Sequence, residues 1–117
     1  MIVTTPQKVA FADVKKAIYM FRKMGKEIIG IVENMSYFCC EHSTDKIEIF
    51  GQGGGEDLSS ELSLSFLGAL PLDIELRKSG DLGIPFMVDS PDSESGKVFQ
   101  KIAKGVLESV SLYSVQP

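Results

Sequence analysis

Ile28-Ile29-Gly30-Ile31-Val32 is the stretch whose reading decides the fold. It is apolar without alternation, the pattern of a strand covered on both faces, as in a parallel sheet with helices on either side. Toward the amino end, Ala10, Val14, Ala17, Ile18, Phe21 and Met24 recur three and four residues apart. They give a helix over 8–24 one apolar stripe, opposite Lys15, Lys16, Arg22 and Lys23. Gly25 is a natural stop. Ahead of that helix, Ile2-Val3-Thr4-Thr5 is short and β-branched, and Pro6 suits a first helical turn with Thr5 as the cap. Strand, helix and strand make a βαβ unit.

Toward the carboxyl end a third run of the same kind, Phe66-Leu67-Gly68-Ala69-Leu70, follows a polar helix candidate from Glu56 to Leu62. A second right-handed crossover is the economical connection. The predicted fold is α/β, a parallel sheet of about three strands with flanking helices. Residues 36–50 form an insertion that carries Cys39 and Cys40, and its Lys46-Ile47-Glu48-Ile49-Phe50 alternates like an exposed strand, which predicts a small hairpin. After Leu70 come Pro71-Leu72-Asp73, a short helical turn through Arg77, a loop over 79–83 and an extended stretch from Pro85 to Val88. Ser90-Pro91-Asp92-Ser93 opens a last helix with Phe99, Ile102, Ala103, Val106 and Val110 on one face. No repeat or linker interrupts residues 1–117, which read as a single unit.

Composition narrows the partners. With 44% apolar and 24% charged residues in 117, the chain matches folded globular domains and suffices for one core. Its net charge is −4 and its basic residues are scattered, so no stripe neutralises a phosphate backbone and nucleic acid is not expected as a partner. The longest apolar run is far shorter than the roughly 20 residues of a membrane helix, and no signal-type segment opens the chain. Two neighbouring cysteines do not form a spaced disulfide framework, so reduced thiols in the cytoplasm are expected.

Residues that carry chemistry are few. A phosphate-cradling Gly-x-x-x-x-Gly-Lys-Ser/Thr is missing; Gly96-Lys97 precedes Val98 and lies within the last helix. Gly51-Gln52-Gly53-Gly54-Gly55 precedes a helix, where free N–H groups attract anions, but it follows a surface strand and has no paired lysine. It reads as a flexible connection. Cys39 and Cys40, with His42 nearby, are soft metal ligands or ordinary cysteines; adjacent side chains on an extended strand point to opposite faces, which hinders a shared grip on one metal. Asn34, Pro71 and Asp73 follow predicted parallel strands, the edge where open α/β sheets hold ligands. The Asn34 amide either reads a nucleobase or shapes a loop. Asp13, Glu33, Asp73 and Asp81 form no acid/base pair and read as solvated or capping carboxylates, and His42 lacks the partners of a nucleophilic triad.

In order along the chain, Thr4-Thr5-Pro6-Gln7, Gly30-Ile31-Val32-Glu33-Asn34-Met35-Ser36, Ile49 to Gly55, Leu67-Gly68-Ala69-Leu70-Pro71-Leu72-Asp73 and Ser79-Gly80-Asp81-Leu82-Gly83-Ile84-Pro85 resemble the carboxyl-terminal half of the Mrp/ApbC-type iron–sulfur cluster carriers. These are MinD-like members of the P-loop NTPase superfamily. The resemblance implies an ATP-binding protein that dimerises, bridges a labile [4Fe-4S] cluster between two protomers and hands it to apo iron–sulfur proteins. It also implies that adenine contacts come from Asn34, Pro71 and Leu72, and cluster ligands from the Cys40 region. Two departures follow. The phosphate-binding half of the family is not represented, so this chain alone is not expected to hydrolyse ATP. The family's Cys-x-x-Cys falls on Cys40-Glu41-His42-Ser43, so its second ligand is a serine, a poor ligand for iron, while Cys39 stands one residue too early. The rival expectation is a non-catalytic interaction module that docks to an amino-terminal half or to itself.

Overall fold

The computed structural model describes residues 1–40 and 44–113. His42 and Ser43 therefore lie outside the described residues. Strand β1 (Ile2–Thr4), helix α1 (Lys8–Lys23) and strand β2 (Ile31–Glu33) form the first crossover; α2 (Gly54–Glu61) and β5 (Phe66–Ala69) form the second. The three strands are parallel in the order β1-β2-β5, with Ile2 opposite Ile31 and Val32 opposite Gly68.

Neighbouring residues of β2 face opposite sides, and each side has its own core. Ile31 packs with Ile18, Leu58 and Leu62 under α1 and α2. Val32 packs with Leu67, Leu70 and Ile102 under the last helix, α5 (Glu94–Tyr113). The unbroken apolar run thus serves two layers. The strand itself begins later than the run does: Ile28 and Ile29 are an apolar lead-in, one packed on each side, and the Gly30 carbonyl accepts from the Ile2 N–H at 2.9 Å.

Several local expectations change. The residue ahead of α1 is Gln7, without a side-chain cap, and the Thr5 hydroxyl donates to the Gln7 amide oxygen at 3.1 Å. Gly25, at φ 67, follows the end of α1 as expected. The short helical turn expected through Arg77 continues across the expected loop over 79–83 as one helix, α3 (Ile74–Leu82). It starts on a true cap, the Asp73 carboxylate accepting from the Glu75 and Leu76 N–H groups, and ends on Gly83 at φ 68. The Arg77–Asp81 ion pair at 2.6 Å supports its last turns. Pro85 to Val88, expected to be extended, contains the short helix α4 (Phe86–Asp89), because Phe86 is buried and meets the Phe99 ring at a centroid distance of 6.3 Å. On α5 the inward face is Val98, Phe99, Ile102 and Val106; Ala103 and Val110, expected there, are exposed. Among the described residues no helix is long and apolar enough to cross a membrane.

Candidate functional site

The carboxyl ends of β2 and β5 organise the site. Past β2 the Asn34 N–H donates to the Thr4 carbonyl at 2.7 Å, holding this residue beside β1. The Asn34 side-chain oxygen accepts from the Met35 N–H at 2.9 Å, which leaves the amide NH₂ as a donor. Met35 has φ 55, a left-handed conformation that is uncommon for a residue with a side chain, and it turns the chain out of the sheet.

The chain then runs on beside the segment that follows β5, in the same direction. Ser36 N–H donates to the Leu70 carbonyl at 2.9 Å, Leu72 N–H to the Tyr37 carbonyl at 2.6 Å, and Phe38 bridges Leu72 in parallel. These bonds seat a two-stranded hairpin, β3 (Phe38–Cys39) against β4 (Lys46–Ile47), on the segment after β5. The strand expected through Phe50 ends at Ile47, and residues 49–50 turn toward α2.

Two cavities result, and Pro71–Ile74 lines both. One of about 430 Å³ is walled by both cysteines, Phe38, Glu94 and Ser95 together with Pro71, Leu72, Asp73 and Ile74. The other, of about 480 Å³, is walled by Asn34, Met35, Leu76 and Arg77 together with the same four residues. Pro71 is buried and Leu72 exposed. Asn34, Pro71 and Leu72 therefore share one cavity, and Cys39, Cys40, Pro71 and Leu72 the other.

The cysteines differ. Cys39 donates through Sγ to Glu94 Oε2 at 3.5 Å, while Tyr37 Oη donates to Glu94 Oε1 at 2.6 Å. Lys46 Nζ lies 3.5 Å from Glu94 Oε1 and 4.2 Å from the centroid of the Tyr37 ring. Burial, then the Glu94 charge, pushes the Cys39 thiol up from its usual range. The Tyr37 hydroxyl is likewise held up by burial and its bond to Glu94, and that bond in turn holds the Glu94 carboxyl below the usual carboxylate range. Cys40, half-buried, makes no hydrogen bond among the described residues, and neither cysteine is in a disulfide. Among the described residues no group of three or more His, Cys, Asp or Glu side chains is arranged to hold a metal ion. Glu94 and Lys46 escaped the sequence reading; only their fold contacts mark them, since Glu94 stands 55 residues from Cys39.

The glycine run is more than a flexible connection. Gly53, at φ 68, caps α2, and Gly54 and Gly55 are buried in its first turn. The Gly55 N–H donates to Glu33 Oε2 at 2.5 Å, and the Ser36 hydroxyl donates to Glu33 Oε1 at 2.6 Å. Glu33, expected to be solvated or capping, is 2% exposed and closes the helix start from within the sheet. Asp73 does cap, and it also accepts from the hydroxyl of the fully buried Ser95.

Residues 1–107 match the family model described as ParA, NUBPL iron-transfer P-loop NTPase. An iron–sulfur cluster carrier protein of Synechocystis is 46% identical over 113 residues, which are 96% of this chain and 32% of that protein. The iron–sulfur cluster transfer protein NUBPL of Dictyostelium discoideum is 38% identical over 96% of this chain and 35% of its own length. The chain thus spans about a third of these relatives. Among solved structures, the nucleotide-binding protein of Archaeoglobus fulgidus in complex with ADP is 37% identical with a TM-score of 0.61, over 69% of this chain and 34% of that one. The cell division ATPase MinD of Pyrococcus furiosus has a TM-score of 0.67 at 25% identity, over 90% of this chain and 40% of its own. A parallel α/β sheet with helices on both faces, shared with MinD, and a family match that runs from the first strand through most of α5 agree with each other: the chain belongs to the NUBPL family of iron-transfer P-loop NTPases.

Proposed function

We propose that this chain is the cargo-binding and base-reading part of an ATP-binding iron–sulfur cluster carrier that works in the cytoplasm. The observation that carries the reading is the shared wall: Pro71–Ile74 lines both the cavity of the cysteine hairpin and the cavity of Asn34. On the base side, the free Asn34 NH₂ donates to a ring acceptor of adenine, and Pro71 and Leu72 supply apolar contact. On the cargo side, Cys40 and Cys39 supply thiolates to iron. Four thiolates hold a [4Fe-4S] cluster, so two copies of the chain contribute two each and the cargo is bridged in a homodimer before passing to apo iron–sulfur proteins. Hydrolysis is not assigned to these residues, since the sequence has no phosphate-cradling loop and the N–H of Gly55 already serves Glu33.

Anaerobic reconstitution with iron and sulfide tests the reading. The expected product absorbs in the thiolate-to-iron charge-transfer region, holds one cluster per two chains and is lost in C40S. A colourless wild-type product overturns the cargo role.

One observation favours a second reading, in which the chain acts as a docking module. On β1, the Ile2 N–H and the Thr4 carbonyl bond to the β2 side, so the backbone groups of Val3 face the free edge, and its side chain is 52% exposed. This reading expects a dimer or larger assembly without cargo. Monomers by light scattering at all micromolar concentrations refute it.

A further inference from the structure

We infer that Glu94 is the positioning residue of the cysteine hairpin: it engages Cys39 and leaves Cys40 as the thiol presented to incoming iron. The inference rests on the hairpin as the cargo site.

Contacts from both hairpin strands and from the residue ahead of them converge on this one carboxylate. Tyr37 donates to Oε1, Cys39 to Oε2, and Lys46 approaches Oε1 from β4. The carboxylate stands on firm ground. It opens α5, next to Ser95, which is fully buried and bonded to the Asp73 cap of α3. Gly96 is also buried, and a side chain there would meet the Ser90 carbonyl at 2.6 Å. The hairpin itself is slight, two residue pairs joined to the body through Phe38 and Leu72. Its cysteine-bearing side is therefore fixed by Glu94 more than by its own strands.

This makes the adjacent thiols unequal. A sulfur bound to iron has no S–H, so each thiol releases its proton to solvent as it ligates, and Cys39 does so only after its contact with Glu94 opens. Cys40 has no such contact among the described residues and lines the same cavity. The order of engagement is Cys40 first and Cys39 second, with Glu94 withdrawing in between.

The test needs no cargo, so it stands apart from the reconstitution result. Reduced protein is treated anaerobically with limiting iodoacetamide, and carbamidomethylation is assigned to Cys39 or Cys40 by tandem mass spectrometry. In the wild type Cys40 is expected to react several-fold faster than Cys39. E94A, and E94D whose shorter arm no longer reaches Sγ, are expected to accelerate Cys39 several-fold while Cys40 keeps its rate. E94Q, whose amide oxygen still accepts from Cys39 but which carries no charge, is expected to accelerate Cys39 less than E94A does. Equal rates in the wild type overturn the inference, as does an E94A variant in which both cysteines accelerate alike, since that reports only a loosened hairpin.

Discussion

Replacing Glu33 by alanine removes the acceptor that joins the end of β2 to the start of α2. Two donors lose their partner, the Gly55 N–H at 2.5 Å and the Ser36 hydroxyl at 2.6 Å. Bonds to a charged acceptor contribute about 1.5–3 kcal/mol each. Gly55 is buried and cannot turn to water, so its share is lost in full, whereas the half-buried Ser36 recovers part of its own. The expected destabilisation is about 3 kcal/mol, a sizeable part of the roughly 10 kcal/mol that holds a domain of this length. Melting falls by roughly 10 °C. E33Q keeps the shape and one acceptor for Gly55, and a rotated Ser36 hydroxyl accepts from the new amide, so it costs about 1 kcal/mol. Urea denaturation followed by far-ultraviolet circular dichroism measures both variants. An E33A loss below about 1 kcal/mol, or an E33Q loss equal to that of E33A, refutes the assignment of these bonds as the link.

Other outcomes follow from the packing. I18A, at a residue with no exposure in the α1 layer, is expected to cost about 3 kcal/mol in the same assay, with a negligible loss counting against the two-layer core. G54A is expected to cost about 1–3 kcal/mol, because the added carbon would crowd the Phe11 ring and lie 2.7 Å from the Pro6 carbonyl; a neutral result would show that α2 shifts freely. The Tyr37–Glu94 contact should be stable over a pH window. Glu94 has a lowered folded pKa, so its stabilisation is present above about 4.3 and lost as pH falls through that lower value. Tyr37 has a raised one, so its contribution is present below about 10 and lost as pH rises through the still higher folded value. Ultraviolet titration of wild type against Y37F is expected to differ only above pH of about 10, and a Tyr37 phenolate that forms below it contradicts the contact.

The layers were legible because burial writes itself into sequence period. The unbroken run at Ile28–Val32 encodes a strand covered on both faces, the stripe through Ile18 encodes the helix face that packs on one of them, and both are present. Boundaries were less legible where a tertiary partner decided them. Phe86 forms part of a short helix because Phe99 is in place to receive its ring, and the loop expected after Arg77 stays helical on the strength of the Asp73 cap and the Arg77–Asp81 pair. Strand ends and motif order single out Asn34, Pro71, Leu72 and the cysteines, which line the two cavities of the candidate site. They do not single out Glu94, since no local spacing links an exposed glutamate at a helix start to a thiol in a hairpin. For Glu33, expected to be solvated or capping, a related reason applies: only the folded helix that supplies its donors makes it the cap of α2.

The carboxylate at the start of α2 also changes how this fold responds to its medium. Helix starts behind glycine-rich turns ordinarily behave as receptors for dissolved anions. Here the position is filled by a tethered competitor, held in register by β2 and never diluted, so its effective concentration does not depend on the buffer. Added phosphate meets an occupied receptor at this helix, and the charge that settles α2 travels with the chain.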